Sequence, residues 1–426
     1  MERRPRDRAV AGRGGGRADS SCPHPRAPWP SGRRTRAAGQ GARNTVRRTQ
    51  GRHPAETRAA AGQAVSLPEA IQPDGATHVR YRGRRLIYFG GCDYYRLAHH
   101  PKLLKAHAQA AARDGLGTGA SRMTTGNHPA HDKLETSLVK FFGSETATVV
   151  GDGYLANIAL GQAANGRFDA AFIDEKAHMS LRDAAQFIGC PVVRYRHCNA
   201  DDLARRVSRR RAVKRVLLMT DGVFGATGRV APVGDLAKRL ARSATLWIDD
   251  AHGAGVLGER LRGTAEQCGL GGRRVIQSIT FSKALGSFGG AILGSRWLRA
   301  ALLDGNNVVT GSSSLPAGLA KATLASLELL RTRPALAKRL RRNTAFVKAK
   351  LLAAGLPIGD PAFPVFSLDC PGKKAAMALR HRLLGNGIYP SCIRYPTGSE
   401  GAFYRFAISS EHTREQLEHL VAALSG

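Results

Sequence analysis

From about Ala64 onward, short apolar runs alternate with stretches of helical spacing. The runs ATVVGDG (147–153), AAFID (170–174), RVLLMTDG (215–222), TLWIDDAH (245–252) and SITFSK (278–283) each end in glycine or polar residues. Apolar runs of this kind predict strands buried on both faces. Between them, segments such as ADDLARRVSRRRAV and PVGDLAKRLARSA carry apolar residues at helical spacing, with acids near their starts, where the helix dipole favours negative charge. Strand and helix in repeated alternation predict an α/β architecture. Its sheet would be mostly parallel with helices on both faces, and its ligands would gather at the carboxyl ends of the strands. After about Ser314 a long helical region leads into a smaller α+β segment ending in YRFAISSEHTREQLEHLVAAL. No internal repeat is visible. The pattern divides the chain into residues 1–63, an N-terminal segment 64–110, a large domain 111–311 and a small C-terminal domain 312–426.

Composition changes this picture mainly at the start. The chain has 426 residues, 42% of them hydrophobic, enough for a large core and more than one domain. No apolar run approaches the roughly 20 residues that cross a bilayer. The formal charge is +33. Residues 1–62 hold fifteen arginines and no lysine against four acids, a net +11. This stretch of Arg, Gly, Pro and Ala has too few aliphatic residues to form a core, so it reads as a disordered tail or as sequence translated upstream of the true start. It lacks the apolar segment of a secretory signal, and its Gly and Pro would break the amphipathic helix of a mitochondrial one. The other +22 is spread over 364 residues with both signs mixed. No basic stripe studded with aromatics appears, which argues against nucleic acid as a partner. The seven cysteines are scattered, with no CxxC pair and no metal-ligand spacing, as expected in a reducing cytoplasm.

Four clusters carry candidate chemistry. In TFSKALGSFGG (280–290), Lys283 follows an apolar strand directly; of fourteen lysines it alone has such a setting. Desolvation there would lower its pKa toward that of an amine able to form a Schiff base. In LWIDDAHGAGVLGERLRG (246–263), two acids close an apolar strand, a costly arrangement unless a cation faces them. A protonated pyridine nitrogen beside Asp249 would meet that need. GDGYLAN (151–157) runs from a strand into a helix, where free N–H groups bind anions such as a phosphate. DEKAHMS (174–180) places His178 just past a strand, where a flat imidazole suits stacking on an aromatic ring.

These clusters, with CDYYRLAHHP, GLGTGASRMTTGNHPAHDKLE and SSSLPAG, resemble in order and spacing the α-oxoamine synthase family of fold-type I enzymes that use pyridoxal 5′-phosphate (PLP). The likeness runs from about Tyr88 to the C-terminus. It implies a large PLP-binding domain, a smaller C-terminal domain and a homodimer. It implies that Lys283 holds PLP as a Schiff base and moves protons at the substrate α-carbon. Asp249 would pair with the pyridinium nitrogen, His252 would hydrogen-bond the phenolic oxygen, and His178 would stack on the ring. Gly153, Tyr154 and Thr280 would lie at the phosphate, joined by Ser312 and Ser313 from the partner subunit. Arg405, in YRFAIS, would clamp the amino-acid carboxylate. The implied reaction is decarboxylative condensation of an amino acid with an acyl-CoA or acyl carrier protein, as in 8-amino-7-oxononanoate synthase. The alternatives are glycine C-acetyltransferase and an aminotransferase-like enzyme with an altered acyl-donor site.

The chain departs from the family pattern at several positions. The usual SMDG is Gly225, Ala226, Thr227 and Gly228, so a serine hydroxyl is absent. The usual asparagine and glycine of NDYLGL are Cys92 and Arg96, and an aromatic before SSSLP is Gly311. These changes are expected to face substrate and to leave the cofactor residues alone.

Overall fold

The computed structural model describes residues 67–210, 212–359, 363–393 and 403–426. The arginine-rich tail expected over 1–63 lies outside them. Seven strands form the central sheet: β1 (Thr146–Val150), β2 (Ala170–Asp174), β3 (Val192–Tyr195), β4 (Val216–Asp221), β5 (Thr245–Asp249), β6 (Val275–Thr280) and β7 (Gly290–Gly294). Their spatial order is β1-β7-β6-β5-β4-β2-β3. Only β7 runs antiparallel to its neighbours, so the sheet is mostly parallel, as the alternating pattern predicts.

Burial on both faces explains the continuous apolar runs. Successive side chains of a strand point to opposite faces. Leu217 and Met219 therefore pack with Trp247 and Ile276 on one side, and Val216 and Leu218 pack with Leu246 and Ile248 on the other. Two strands escape the sequence pattern. β3 (VVRY) carries an arginine and has only two buried residues, and β7 (GAILG) is framed by glycines. The SITFSK run is displaced: β6 ends at Thr280, and Lys283 lies in the turn beyond it.

The C-terminal portion has its own antiparallel sheet of Val365–Asp369, Phe403–Ala407 and Cys392–Ile393. It packs through Phe366, Tyr404 and Phe406 on Val347, Leu351 and Leu420 of the Pro334–Ala353 and Arg414–Ser425 helices. The helical region after Ser314 is two helices, Ala317–Thr332 and Pro334–Ala353. Pro334 lacks the N–H that would continue the first, and it serves well at the start of the second. Near the N-terminus, Gln72–Pro73, His78–Tyr81 and Arg84–Ile87 form a small sheet that the apolar pattern does not announce. The backbone of Ile87 bonds Gly387 and Tyr389 at 2.8 and 2.9 Å, and Ala407 N of the C-terminal sheet donates to Phe89 O at 2.6 Å, so the segment carrying Tyr94 is tied to that sheet. Pro68–Gly426 form one compact unit. Among the described residues no helix is long and apolar enough to cross a membrane.

Candidate active site

The carboxyl ends of β4, β5 and β6 bring the predicted residues together. Asp249 ends β5, paired in register with Asp221 of β4 and Ser278 of β6. Strand alternation splits the acid pair. Asp250 points away and is consumed by Thr264 N (2.7 Å), Thr264 Oγ1 (2.7 Å) and Gln277 Nε2 (2.9 Å), which tie down the 250–264 loop. Asp249 faces the other way, its Oδ2 taking a 2.6 Å bond from Asn157 Nδ2 and its Oδ1 a 3.1 Å bond from Ala251 N.

Asn157 is fully buried and uses its whole carboxamide. Its Nδ2 also donates to Ser180 Oγ at 2.8 Å, and its Oδ1 accepts from Ser278 Oγ at 2.6 Å. Ser180 Oγ lies 2.7 Å from His178 Nδ1, and His178 N donates to Asp221 Oδ2 at 2.9 Å. One amide thus links the Gly153–Ala163 helix, β5, β6 and the His178 turn. Burial, reinforced by nearby Asp249, pushes Asp221 well above the usual carboxylate range. Burial likewise holds His178 below its ordinary value, against the pull of Asp249.

Lys283 makes no hydrogen bond and no ion pair with any other described residue. Desolvation lowers its pKa, partly opposed by the electrostatic influence of Cys92, Asp249 and Asp221. The turn that presents it needs Gly286, whose φ is 55° and where a Cβ would stand 2.5 Å from Ala98 N. His252 is held by Tyr94, whose hydroxyl is 2.7 Å from Nδ1. Desolvation first, then the charges of Lys283 and Arg405, keep His252 well below its ordinary value. Arg405 stands in the same cluster, its Nη1 donating to Gly225 O at 3.2 Å.

At the start of the Gly153–Ala163 helix, Asp152 accepts from Leu155 N at 2.8 Å. The N–H groups of Gly153 and Tyr154 have no partner among the described residues. Gly153 is held against Thr280: an added Cβ would stand 2.8 Å from Thr280 Cβ. Tyr154 crosses the ring of His178 edge-on at 6.3 Å and donates its hydroxyl to Asp183. Ser312 and Ser313 stand apart from this cluster. The Ser312 hydroxyl donates to Val308 O, and Ser313 is exposed.

The departures divide. Cys92 lies beside Tyr94 and bears electrostatically on Lys283. Arg96 does not face substrate as expected. It is buried in a left-handed conformation (φ 54°), donates to the carbonyls of Tyr88 (3.0 Å) and Gly90 (3.3 Å), and braces its own loop. Gly225 abuts His252, and a Cβ there would overlap the ring at Nε2. Asn157, Asp221, Ser180 and Tyr94 are the functional candidates that the sequence reading did not assign. Each lies in a motif quoted above, and a polar residue at the end of an all-apolar run was the available signal for Asp221.

The sequence matches the aminotransferase class I and II family over residues 84–424. It is 37% identical over 353 residues to an 8-amino-7-oxononanoate synthase of Methylococcus capsulatus, spanning 82% of this chain and 91% of the relative. The chain belongs to that family, and within it to the α-oxoamine synthases. An 8-amino-7-oxononanoate synthase of Nitrosococcus oceani is also 37% identical, over 83% of this family member and 94% of its own length. Among solved structures, a serine palmitoyltransferase from S. paucimobilis with a bound PLP–myriocin aldimine superposes with a TM-score of 0.79 at 26% identity, covering 84% and 91% of the two chains. An 8-amino-7-oxononanoate synthase from Francisella tularensis gives 0.69 at 25% identity, covering 80% and 97%. The fold of this family member is that of the fold-type I PLP-dependent transferases.

Proposed function

We propose that this chain is a PLP-dependent acyltransferase that condenses an amino acid with an acyl-CoA, with loss of CO2, as 8-amino-7-oxononanoate synthase does. One observation carries the reading: a desolvated amine without a partner among the described residues, Lys283, stands at the head of the sheet with Asp249, whose carboxylate is oriented by a fully buried amide. The surroundings fit PLP. Gly153 leaves no room for a side chain against Thr280, and the Gly153 and Tyr154 N–H groups, without partners among the described residues, lie at a helix start, as a phosphate requires.

A bound PLP supplies an electron sink for charge that develops on the carbon beside an amino nitrogen. Lys283 would hold it through Nζ. Burial raises the population of neutral Lys283 amine, so the same nitrogen can take and return a proton at the amino-acid α-carbon. Asp249, with Asn157 fixing one oxygen and Ala251 N the other, would keep a proton on the pyridine nitrogen. His252, neutral and oriented by Tyr94, would present Nε2 to the phenolic oxygen. His178, tied to Ser180 and Asp221, would lie against the ring. Arg405 offers two parallel donors to the amino-acid carboxylate. A homodimer would bring Ser312 and Ser313 to the partner's phosphate, and the cytoplasm supplies both substrates.

The test is product analysis. Purified enzyme with PLP, a panel of small amino acids and acyl-CoA thioesters should release CO2 and free CoA, and Lys283→Ala should release neither. Production of a keto acid without free CoA would overturn the reading in favour of transamination.

A further inference from the structure

A cluster outside the Lys283 site joins the ends of two neighbouring strands. Asp174 closes β2, is 1% exposed, and pairs in register with Tyr195 at the end of β3. Beyond β3 the chain folds back over it. Cys198 N donates to Asp174 Oδ2 at 2.8 Å, and Lys176 N donates to Oδ1 at 2.8 Å. His197 Nδ1 lies 2.9 Å from Asp174 Oδ1, and Cys198 Sγ lies 3.7 Å from both His197 Nδ1 and Nε2. A carboxylate oxygen, an imidazole nitrogen and a thiol sulfur therefore all fall within 4.8 Å of one another. The edge of Phe224 meets the His197 ring at 4.3 Å, and His197 N donates to Glu175 Oε1 at 2.9 Å. The fully buried Tyr195 hydroxyl lies near Thr220, and Asp174 is the charge that bears most on it.

We propose that Asp174, His197 and Cys198 form a zinc site that clamps the carboxyl ends of β2 and β3. With zinc about 2.3 Å from sulfur and about 2.0–2.2 Å from nitrogen or oxygen, the edges of a tetrahedral site are about 3.3–3.6 Å. The Sγ–Nδ1 separation is close to this value, but Sγ is equally far from Nε2, so it lies off the line of the Nδ1 lone pair and reaches the metal by turning about the Cys198 Cα–Cβ bond. Mixed sulfur, nitrogen and oxygen donors suit Zn²⁺ over the hard cations, which take oxygen alone. On binding, the Asp174–His197 hydrogen bond gives way to two metal bonds. The Cys198 thiol loses its proton to solvent and imidazole binds neutral, so one dication meets two anions. Water fills the fourth position. The ligands come from the end of β2 and the turn beyond β3, more than twenty residues apart, so no sequence spacing announces them.

The probe is Zn²⁺, then Co²⁺, added to the full-length holoenzyme. Wild type should take up about one equivalent, show a thiolate-to-cobalt charge-transfer band in the near ultraviolet, and unfold at higher temperature with Zn²⁺. Cys198→Asn should lose all three. Cys198 has φ 54°, a conformation asparagine tolerates, so this variant should keep its fold and its condensation activity. His197→Gln is the second variant and should lose the band with its cysteine intact. No metal in the wild type, or the same band in Cys198→Asn, would overturn the proposal.

Discussion

The Tyr94 hydroxyl and Nδ1 of His252 are 2.7 Å apart although 158 positions separate the residues in sequence. Tyr94 is 1% exposed, and its loop is anchored by Ser410 N donating to the Tyr94 carbonyl at 2.9 Å. Burial keeps His252 neutral, so this bond decides which ring nitrogen carries the proton and what the other presents to the site.

Tyr94→Phe should therefore bind the amino acid with nearly unchanged KM and lower kcat. A lost buried hydrogen bond costs about 1–3 kcal/mol, or roughly 5- to 150-fold in rate. The pH profile of kcat should shift as His252 loses its fixed tautomer. Steady-state kinetics from pH 6 to 9 give both readouts, and an unchanged profile would remove Tyr94 from any positioning role.

Lys283 and Asp249 are legible in the sequence because each stands at or just beyond the end of a largely apolar run, and His252 is legible through the DDAH motif that follows one of them. Such a run marks a doubly buried strand, and whatever follows it stands at the ligand edge. Their supports are not legible. Asn157 sits on the Gly153–Ala163 helix and reaches Asp249 only because that helix packs across the ends of β5 and β6. Tyr94 arrives from a segment with no periodic pattern. Arg96 is misread for a related reason: nothing local to CDYYRLAHHP indicates that its guanidinium caps carbonyls of its own loop.

Asn157→Ala should be more damaging than its distance from substrate suggests. It strips Asp249, Ser180 and Ser278 of one partner each. Leaving buried polar groups unpaired costs about 1–3 kcal/mol apiece. The expected result is a lower unfolding temperature and a weaker PLP Kd, read by thermal melts with and without cofactor and by titration of its absorbance. Undiminished cofactor affinity would mean that Asp249 does not depend on this amide.

Gly225→Ser tests whether the missing hydroxyl is a lesion or an adaptation. A Cβ at this position overlaps the Nε2 edge of His252, and the Gly225 carbonyl is a partner of Arg405. Restoring serine should therefore lower kcat/KM by displacing both side chains. Overpacking of about 1–3 kcal/mol corresponds to roughly 5- to 150-fold. A gain in kcat/KM would instead show that the ring has room to move aside.

Asp250 predicts a pH dependence of stability unrelated to catalysis. It is completely buried, and desolvation raises its pKa to about 6 against three hydrogen bonds that favour the ionised form. In the unfolded chain the group titrates near 3.8. Between about pH 4 and pH 6 the native state therefore holds a proton that the unfolded chain has released, and stability falls as pH rises through that window. A separation of about two units is worth of the order of 3 kcal/mol. Asp250→Asn cannot titrate, yet it turns an amide donor toward Thr264 or Gln277 and should be less stable than wild type at pH 4. Because only the wild type loses stability from this group on the way to pH 7, the gap between the two should narrow. Urea unfolding followed by tryptophan fluorescence across this range measures that gap, and a gap that stays constant or widens would show that Asp250 is ionised throughout.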